Sequence, residues 1–176
     1  MVRRLKGERY LPDCLAPTFK SGRESVMMWG CFQGNKLGPL ALCPKGRMDA
    51  TKYCNILEEH FIPFWDTLDY GTIFMQDGAP PHRALYTKDW LEEQEISSMD
   101  WPAQSPDLNP IENVWQQLKT ALEKRSPRAK TKADLLTALQ EEWVKLAGNN
   151  TLAVLIASMP KRVRLVISSN GMPTKY

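Results

Sequence analysis

"GTIFMQDGAPPH", residues Gly71 to His82, takes the chain from one kind of secondary structure to another within a short stretch. "GTIFMQD" reads as a short buried strand that runs out at Asp77, "GAPP" is a turn, and "HRALYTKDWLEEQ" behind it has helical character. "ISSMDW" then comes as a second short extended segment. Strand, turn, helix and strand in that order indicate an α/β domain.

The flanking sequence agrees. Upstream, "ESVMMWGCF" (Glu24 to Phe32) runs into the turn "QGNKLGP" and then "LALC", which predicts a hairpin. "MDATKYCNILEEHFIPFWDTL" places Tyr53, Ile56, Leu57, Phe61, Phe64 and Trp65 at helical spacing behind an Asp49 N-cap, with Pro63 expected to end or kink the helix. Downstream, "NPIENVWQQLKTALEKR" carries Ile111, Val114, Trp115, Leu118 and Leu122 on one face. "TKADLLTALQEEWVKL" turns Leu135, Leu136, Leu139 and Trp143 inward, and its Thr131 and Asp134 resemble a capping box. In "SMPKRVRLVISSNG", Pro160 marks a helix start and Asn170-Gly171 a stop. No repeat or linker interrupts the pattern, so residues 1–176 are read as one domain with a mixed sheet flanked by helices.

With 43% hydrophobic and 24% charged residues, the chain can bury a core without staples. Its longest apolar runs, such as "TLAVLIASM", are too short to span a bilayer, and no apolar segment comes after the basic N-terminus as in a secretory signal. No membrane association and an intracellular location are expected. Cys14, Cys31, Cys43 and Cys54 form no CxxC pair and have no histidine nearby, which argues against zinc and for reduced, buried thiols. The net charge of +3 is too small to identify nucleic acid as a partner. Basic residues do bunch at "RRLKGER", "EKRSPRAKTK" and "KRVR", which suits either phosphate contacts or a solvated face.

Two acids lie where chemistry could use them. Asp77 stands at a strand end and Glu112 in the first turn of the helix after "SPDLNP". Metal-assisted phosphodiester cleavage needs hard oxygen ligands converging on two ions about 3.5 to 4 Å apart, and carboxylates at element ends can converge that way. Each also has a plain structural reading. Asn109, Pro110 and Glu112 fit an N-x-x-E capping box worth about 1 kcal/mol, and Asp77 before Gly78 fits a turn. Asp100 and Asp107 read as turn or cap residues, and His60 as lying on a helix flank. His82 could donate to a phosphate or orient an acid, or be structural. Trp90, Trp101 and Trp115 could stack on bases, but their spacing favours core positions.

Together, "MQDGAPPH", "KDWLEEQEI" and "WPAQSPDLNPIENVWQQLK" resemble the catalytic domain of the Tc/mariner superfamily of transposases, with thirty-four residues between Asp77 and Glu112 as in one branch of that family. "SVMMWGCFQGNKLGPL" and "SMPKRVRLVISSNGMPTKY" resemble its hairpin and its ending, so the resemblance covers nearly the whole chain. It implies an RNase H-like α/β fold. It also implies a site in which two aspartates and a third acid bind two Mg2+ or Mn2+ ions for DNA cleavage and strand transfer, with Asp77 as the second ligand, Glu112 as the third and His82 as a possible accessory. DNA as partner, a possible homodimer and a nuclear location are implied by the same resemblance.

The departures carry expectations too. In that family the first aspartate precedes the segment resembling "RRLKGERY", where this chain begins, so the first strand, its ligand and the helix-turn-helix modules are expected to be missing. Neither Asp13 nor Asp49 stands in such a motif. Gly78 replaces the usual Asn, which loosens the backbone there. The chain alone is therefore expected to be inactive, with an exposed sheet edge that favours self-association. The alternatives are a non-catalytic DNA-binding or interaction remnant of a transposase and, more remotely, an unrelated α/β domain whose two acids are only caps.

Overall fold

The computed structural model describes residues 18–20, 25–102, 105–148, 150–172 and 174. Asp13, Cys14 and the "RRLKGER" cluster lie outside the described residues.

Strands β1 (Thr18–Lys20), β2 (Ser25–Gln33) and β3 (Lys36–Leu42) form an antiparallel sheet in that order. The hairpin is tighter than the sequence suggested. Gln33 already pairs with Lys36, so Gly34 and Asn35 alone make the turn, with Gly34 at φ +55°. The nine residues of β2 are unevenly partnered. β1 pairs with Ser25 to Met27 only, whereas β3 pairs from Met28 to Gln33.

Asp49 caps α1 (Ala50–Ile56) as expected, its side chain accepting the Lys52 N–H at 2.9 Å. Pro63 neither ends nor visibly breaks the helical run. A π-helical turn, Leu57–Phe61, leads directly into α2 (Ile62–Trp65). Proline crowds the carbonyl one turn before it, and the wider π turn makes room for the ring. His60 lies half-buried on the flank of this turn, 3.7 Å from Glu59.

The strand expected at 71–77 is extended but sparsely paired. It is reduced to one parallel bridge between Phe74 and Ser98, with Phe74 N–H donating to Ser97 O and Met99 N–H to Phe74 O. Among the described residues the sheet itself is antiparallel rather than mixed, and this isolated bridge outside it is the parallel pairing. The single helix expected after it is two, α3 (Pro80–Arg83) and α4 (Leu85–Glu93), broken at Ala84 with ψ 141°. The buried Thr87 hydroxyl donates to the Pro81 carbonyl at 2.7 Å across this break, satisfying an acceptor that the interrupted helix leaves open.

A 3-10 turn (Pro106–Leu108) precedes α5 (Pro110–Lys124), and α6 (Lys132–Ala147), α7 (Thr151–Ala157) and α8 (Met159–Ser168) complete the described order. α6 has the full Thr131/Asp134 capping box, and Asn170 and Gly171 at positive φ come after α8.

Two cores lie on opposite faces of β2. Met28, Val114, Trp115, Leu118, Leu135, Leu139 and Trp143 build one, with α5 and α6. Trp29, Tyr53, Leu57, Phe61, Phe74 and Leu91 build the other, with α1 and α4. On the first face, Trp115 and Trp143 stack with centroids 5.5 Å apart. A Cβ at Gly30 would sit 3.0 Å from Trp115 and 2.9 Å from Trp143, so only glycine lets the pair approach the strand. α6 also covers the outer side of β3: Trp143 Nε1 donates to Gly38 O at 2.9 Å and Gln140 Nε2 to Leu40 O at 3.0 Å. Trp115 is therefore a core residue, while Trp90 packs partly buried against the second core.

Gly30→Ala is expected to lower unfolding stability by about 1 to 3 kcal/mol through overpacking, measurable by denaturant titration.

Candidate active site

A cavity of about 350 Å3 runs between β2 and the extended segment 72–77. Its walls come from both cores, with Trp29, Phe61 and Phe74 on one side and Phe32, Ile111 and Trp115 on the other. Gln33 Nε2 donates to Thr72 Oγ1 at 2.9 Å across one end. Asp77, His82 and Glu112 line the other end. Both long walls offer strand edges with spare hydrogen-bonding groups. Among the described residues, β2 beyond Met27 pairs on the β3 side only, and neither Ile73 nor Met75 makes a backbone hydrogen bond.

The extended segment sets Asp77 at its end, and local contacts fix its side chain. Oδ1 accepts the Ala79 N–H at 3.1 Å and lies 2.7 Å from His82 Nδ1. His82 Nδ1 is also 3.2 Å from the Asp77 carbonyl, so a proton on Nδ1 serves two acceptors on one residue. The His82 ring packs on Tyr53 at a centroid distance of 4.1 Å, and the Tyr53 hydroxyl donates to Gln76 Oε1 at 2.7 Å. Burial, and then the charge of Asp77, push the Tyr53 hydroxyl well above the usual phenol range. Tyr53 thus keeps its proton and supports the imidazole that holds Asp77. Among the described residues, Asp77 Oδ2 has no hydrogen-bond partner.

Glu112 occupies the N3 position of α5 but does not close a capping box. Asn109 is the N-cap, its side chain accepting the Ile111 N–H at 3.4 Å. The Asn109 N–H, which a capping-box Glu would accept, donates instead to Pro106 O at 3.0 Å in the 3-10 turn. Among the described residues the Glu112 carboxylate has no hydrogen-bond or ion-pair partner. It remains solvent-accessible at the cavity mouth. Crowding by protein, and then the charge of Asp77, raise its proton affinity above that of an ordinary glutamate, with Lys119 opposing weakly. Two carboxylates that repel each other at the end of an apolar cavity form a place where a hard cation would be stabilised.

The other candidates lie elsewhere. Asp49 is a cap, and Asp107 accepts the Thr174 N–H at 3.0 Å. Asp100 is exposed, and Trp101 is partly buried outside the cavity. Among the described residues no group of three His, Cys, Asp or Glu is placed to hold a metal ion. Cys31 and Cys43 are free thiols that burial pushes up to about 12, and Cys54 is free, buried and shifted the same way. The basic clusters also look different in three dimensions. Arg125 is held at the surface by Glu141 and Glu142, and Arg162 is buried, so neither is an unpaired surface cation. Tyr53 escaped the sequence reading because it fits the apolar face of α1. A Cβ at Gly78 would meet only Arg83 Cδ, at 3.7 Å, so the site does not require glycine there.

The sign of the Glu112 shift fixes a pH dependence. A carboxyl whose pKa is raised by folding stabilises the native state while protonated, and that contribution is lost as pH rises from the ordinary Glu range through the folded value. Glu112→Gln removes the titration. Its melting temperature is expected to rise relative to the parent between pH 4 and pH 7, as read in parallel thermal melts; a difference that is flat with pH would contradict this.

Known proteins are similar to this chain in sequence and in fold. The family of DDE superfamily endonucleases matches residues 4–135. The Tc1 transposase of Caenorhabditis elegans is 39% identical over 176 residues, and the Tcb1 transposase of Caenorhabditis briggsae is 38% identical over 177. Each alignment takes in 99% of this chain but 63% of the relative, so the chain spans somewhat under two thirds of their length. In fold it is similar to the Mos1 transposase catalytic domain solved with raltegravir and Mn, with a TM-score of 0.78 at 20% identity over 91% of this chain and 82% of that one. The Mos1 mariner paired-end complex with Mn gives 0.76 at 21% identity, over 98% of this chain and 52% of that one. The small antiparallel sheet with its helices matches that RNase H-like catalytic domain, as the sequence resemblance implied. The chain belongs to the DDE superfamily endonucleases, in their Tc/mariner transposase branch.

Proposed function

We propose that this chain serves as a catalytic domain for metal-dependent DNA cleavage and strand transfer, acting in the nucleus on transposon ends and target DNA. The observation that carries the reading is the pair Asp77 and Glu112 at one end of one cavity, each with an oxygen free of internal partners among the described residues. Hard, repelling carboxylates suit Mg2+ or Mn2+. A bound ion would supply Lewis-acid charge for attack on a phosphodiester. The chain's own residues do the rest: His82 orients Asp77, Tyr53 supports His82, and the apolar walls keep bulk water from one side of the carboxylates.

The same residues fit one hydrated ion better than two. Two ions close together need several carboxylate ligands between them, and among the described residues the cavity lining offers two carboxylates, Asp77 and Glu112. We therefore propose that the 176-residue chain by itself does not cut DNA. Incubation of the purified chain with supercoiled plasmid and Mn2+ is expected to leave it intact. Nicking that disappears in Asp77→Ala would overturn this proposal.

The edge of β2 beside the apolar cavity, partly paired among the described residues, also supports self-association as a homodimer. Sedimentation velocity is expected to show a concentration-dependent increase in mass. A monomer at every concentration would contradict it.

A further inference from the structure

Arg162 is the largest of the fully buried side chains among the described residues, at 1% exposure, although its cluster "KRVR" suits phosphate contacts or a solvated face. It lies on the inward face of α8 with Leu165, Val166 and Ser169, at i, i+3, i+4 and i+7. Burying a guanidinium is costly unless its donors are used. Here they join three segments. Nε donates to Ser158 Oγ at 2.8 Å, Nη1 to the Asp107 carbonyl at 2.9 Å, and Nη2 to Asn113 Oδ1 at 2.6 Å.

Asp107 and Asn113 bracket the stretch that enters α5. Between them, Leu108, Asn109 and Pro110 are buried, so this backbone has little freedom once its ends are held. Glu112 lies inside the bracket, beside Asn113, and has no side-chain partner of its own among the described residues. The direction in which its carboxylate leaves the helix is therefore set by the backbone of the first turn, and that backbone is gripped from both sides by one planar fork. The Asp107 carboxylate adds a second tie, to the Thr174 N–H.

We propose that Arg162 is the positioning residue of the site: it clamps the loop and first turn of α5 so that Glu112 faces Asp77 across the cavity mouth. The proposal rests on Glu112 being a cation ligand. Arg162 touches no reacting group and acts through Asp107 and Asn113. Lysine can keep the charge and one hydrogen bond, but cannot span the two acceptors as a fixed fork does.

The test is Mn2+ titration of the full chain monitored by electron paramagnetic resonance, alongside thermal melts, for the parent, Glu112→Ala, Arg162→Lys, Asn113→Ala and Leu146→Ala. The last is destabilised from the core face of α6, away from the cavity. Weakened binding in Glu112→Ala, a loss of affinity of roughly tenfold or more in Arg162→Lys, a smaller loss in Asn113→Ala and parental affinity in the folded fraction of Leu146→Ala are expected. That contrast separates positioning from mere stability. Parental Mn2+ affinity in folded Arg162→Lys would overturn the clamp while leaving Glu112 a ligand. The same loss in Leu146→Ala as in Arg162→Lys would reduce Arg162 to a stabilising residue. If the parent binds no Mn2+, or Glu112→Ala binds it equally well, the ligand reading fails, and the positioning role falls with it.

Discussion

The stack of Trp115 on Trp143 above Gly30 is the contact on which the rest of the arrangement depends. It presses α5 and α6 together onto one face of β2, where the bare backbone of Gly30 lets both indoles come close. Trp115 is one helical turn beyond Glu112, so docking the tryptophan fixes the height and rotation of the helix start that carries the acid. The same residue closes one wall of the cavity. A core contact worth several kcal/mol on general grounds thereby places a carboxylate that has no partner of its own among the described residues.

On the opposite side, a lighter set of contacts places Asp77. The extended segment is held to its neighbour by a single parallel bridge, so the sheet alone defines its end poorly. His82 and the Ala79 N–H compensate by fixing the carboxylate locally, and Tyr53 braces the imidazole from α1. The two acids thus arrive from separate cores, each on its own scaffold, and meet where their charges oppose each other. This strain is local and electrostatic. Protonation of Glu112 relieves it, although burial is the larger cause of that carboxyl's raised proton affinity, and a cation bound as proposed would relieve it too.

The helices were the most legible part of the sequence. α5 and α6 have clean apolar faces, an Asn or Thr cap, and charged outer faces, and their bounds fall close to where those signals put them. The π turn before Pro63 and the break at Ala84 were not legible, because each depends on contacts made only after folding: relief of the proline ring in one case, the Thr87 to Pro81 bond in the other. Glu112 was ambiguous for a similar reason. "NPIE" is consistent with a capping box, and only the donation of the Asn109 N–H to Pro106 shows that the carboxylate is not used that way. Asp77 was visible as a strand-end acid, but nothing local announced its neighbours Tyr53 and Glu112. Arg162 was hidden by its company. Lys161 and Arg164 are exposed, and the helical spacing of Arg162 with Leu165, Val166 and Ser169 was the one signal that set it apart.

The central claim is that Asp77 and Glu112 form one electrostatic unit whose repulsion a divalent cation relieves. A double-mutant cycle with Asp77→Asn and Glu112→Gln, measured as unfolding free energy at neutral pH with and without Mn2+, tests it most directly. Without metal, the coupling is expected to be repulsive, so that neutralising either acid removes most of the penalty and the second substitution adds little. With Mn2+ the sign should reverse, because both charges are then needed to hold the ion. Strict additivity under both conditions would mean that the two acids do not act together, and would contradict the account.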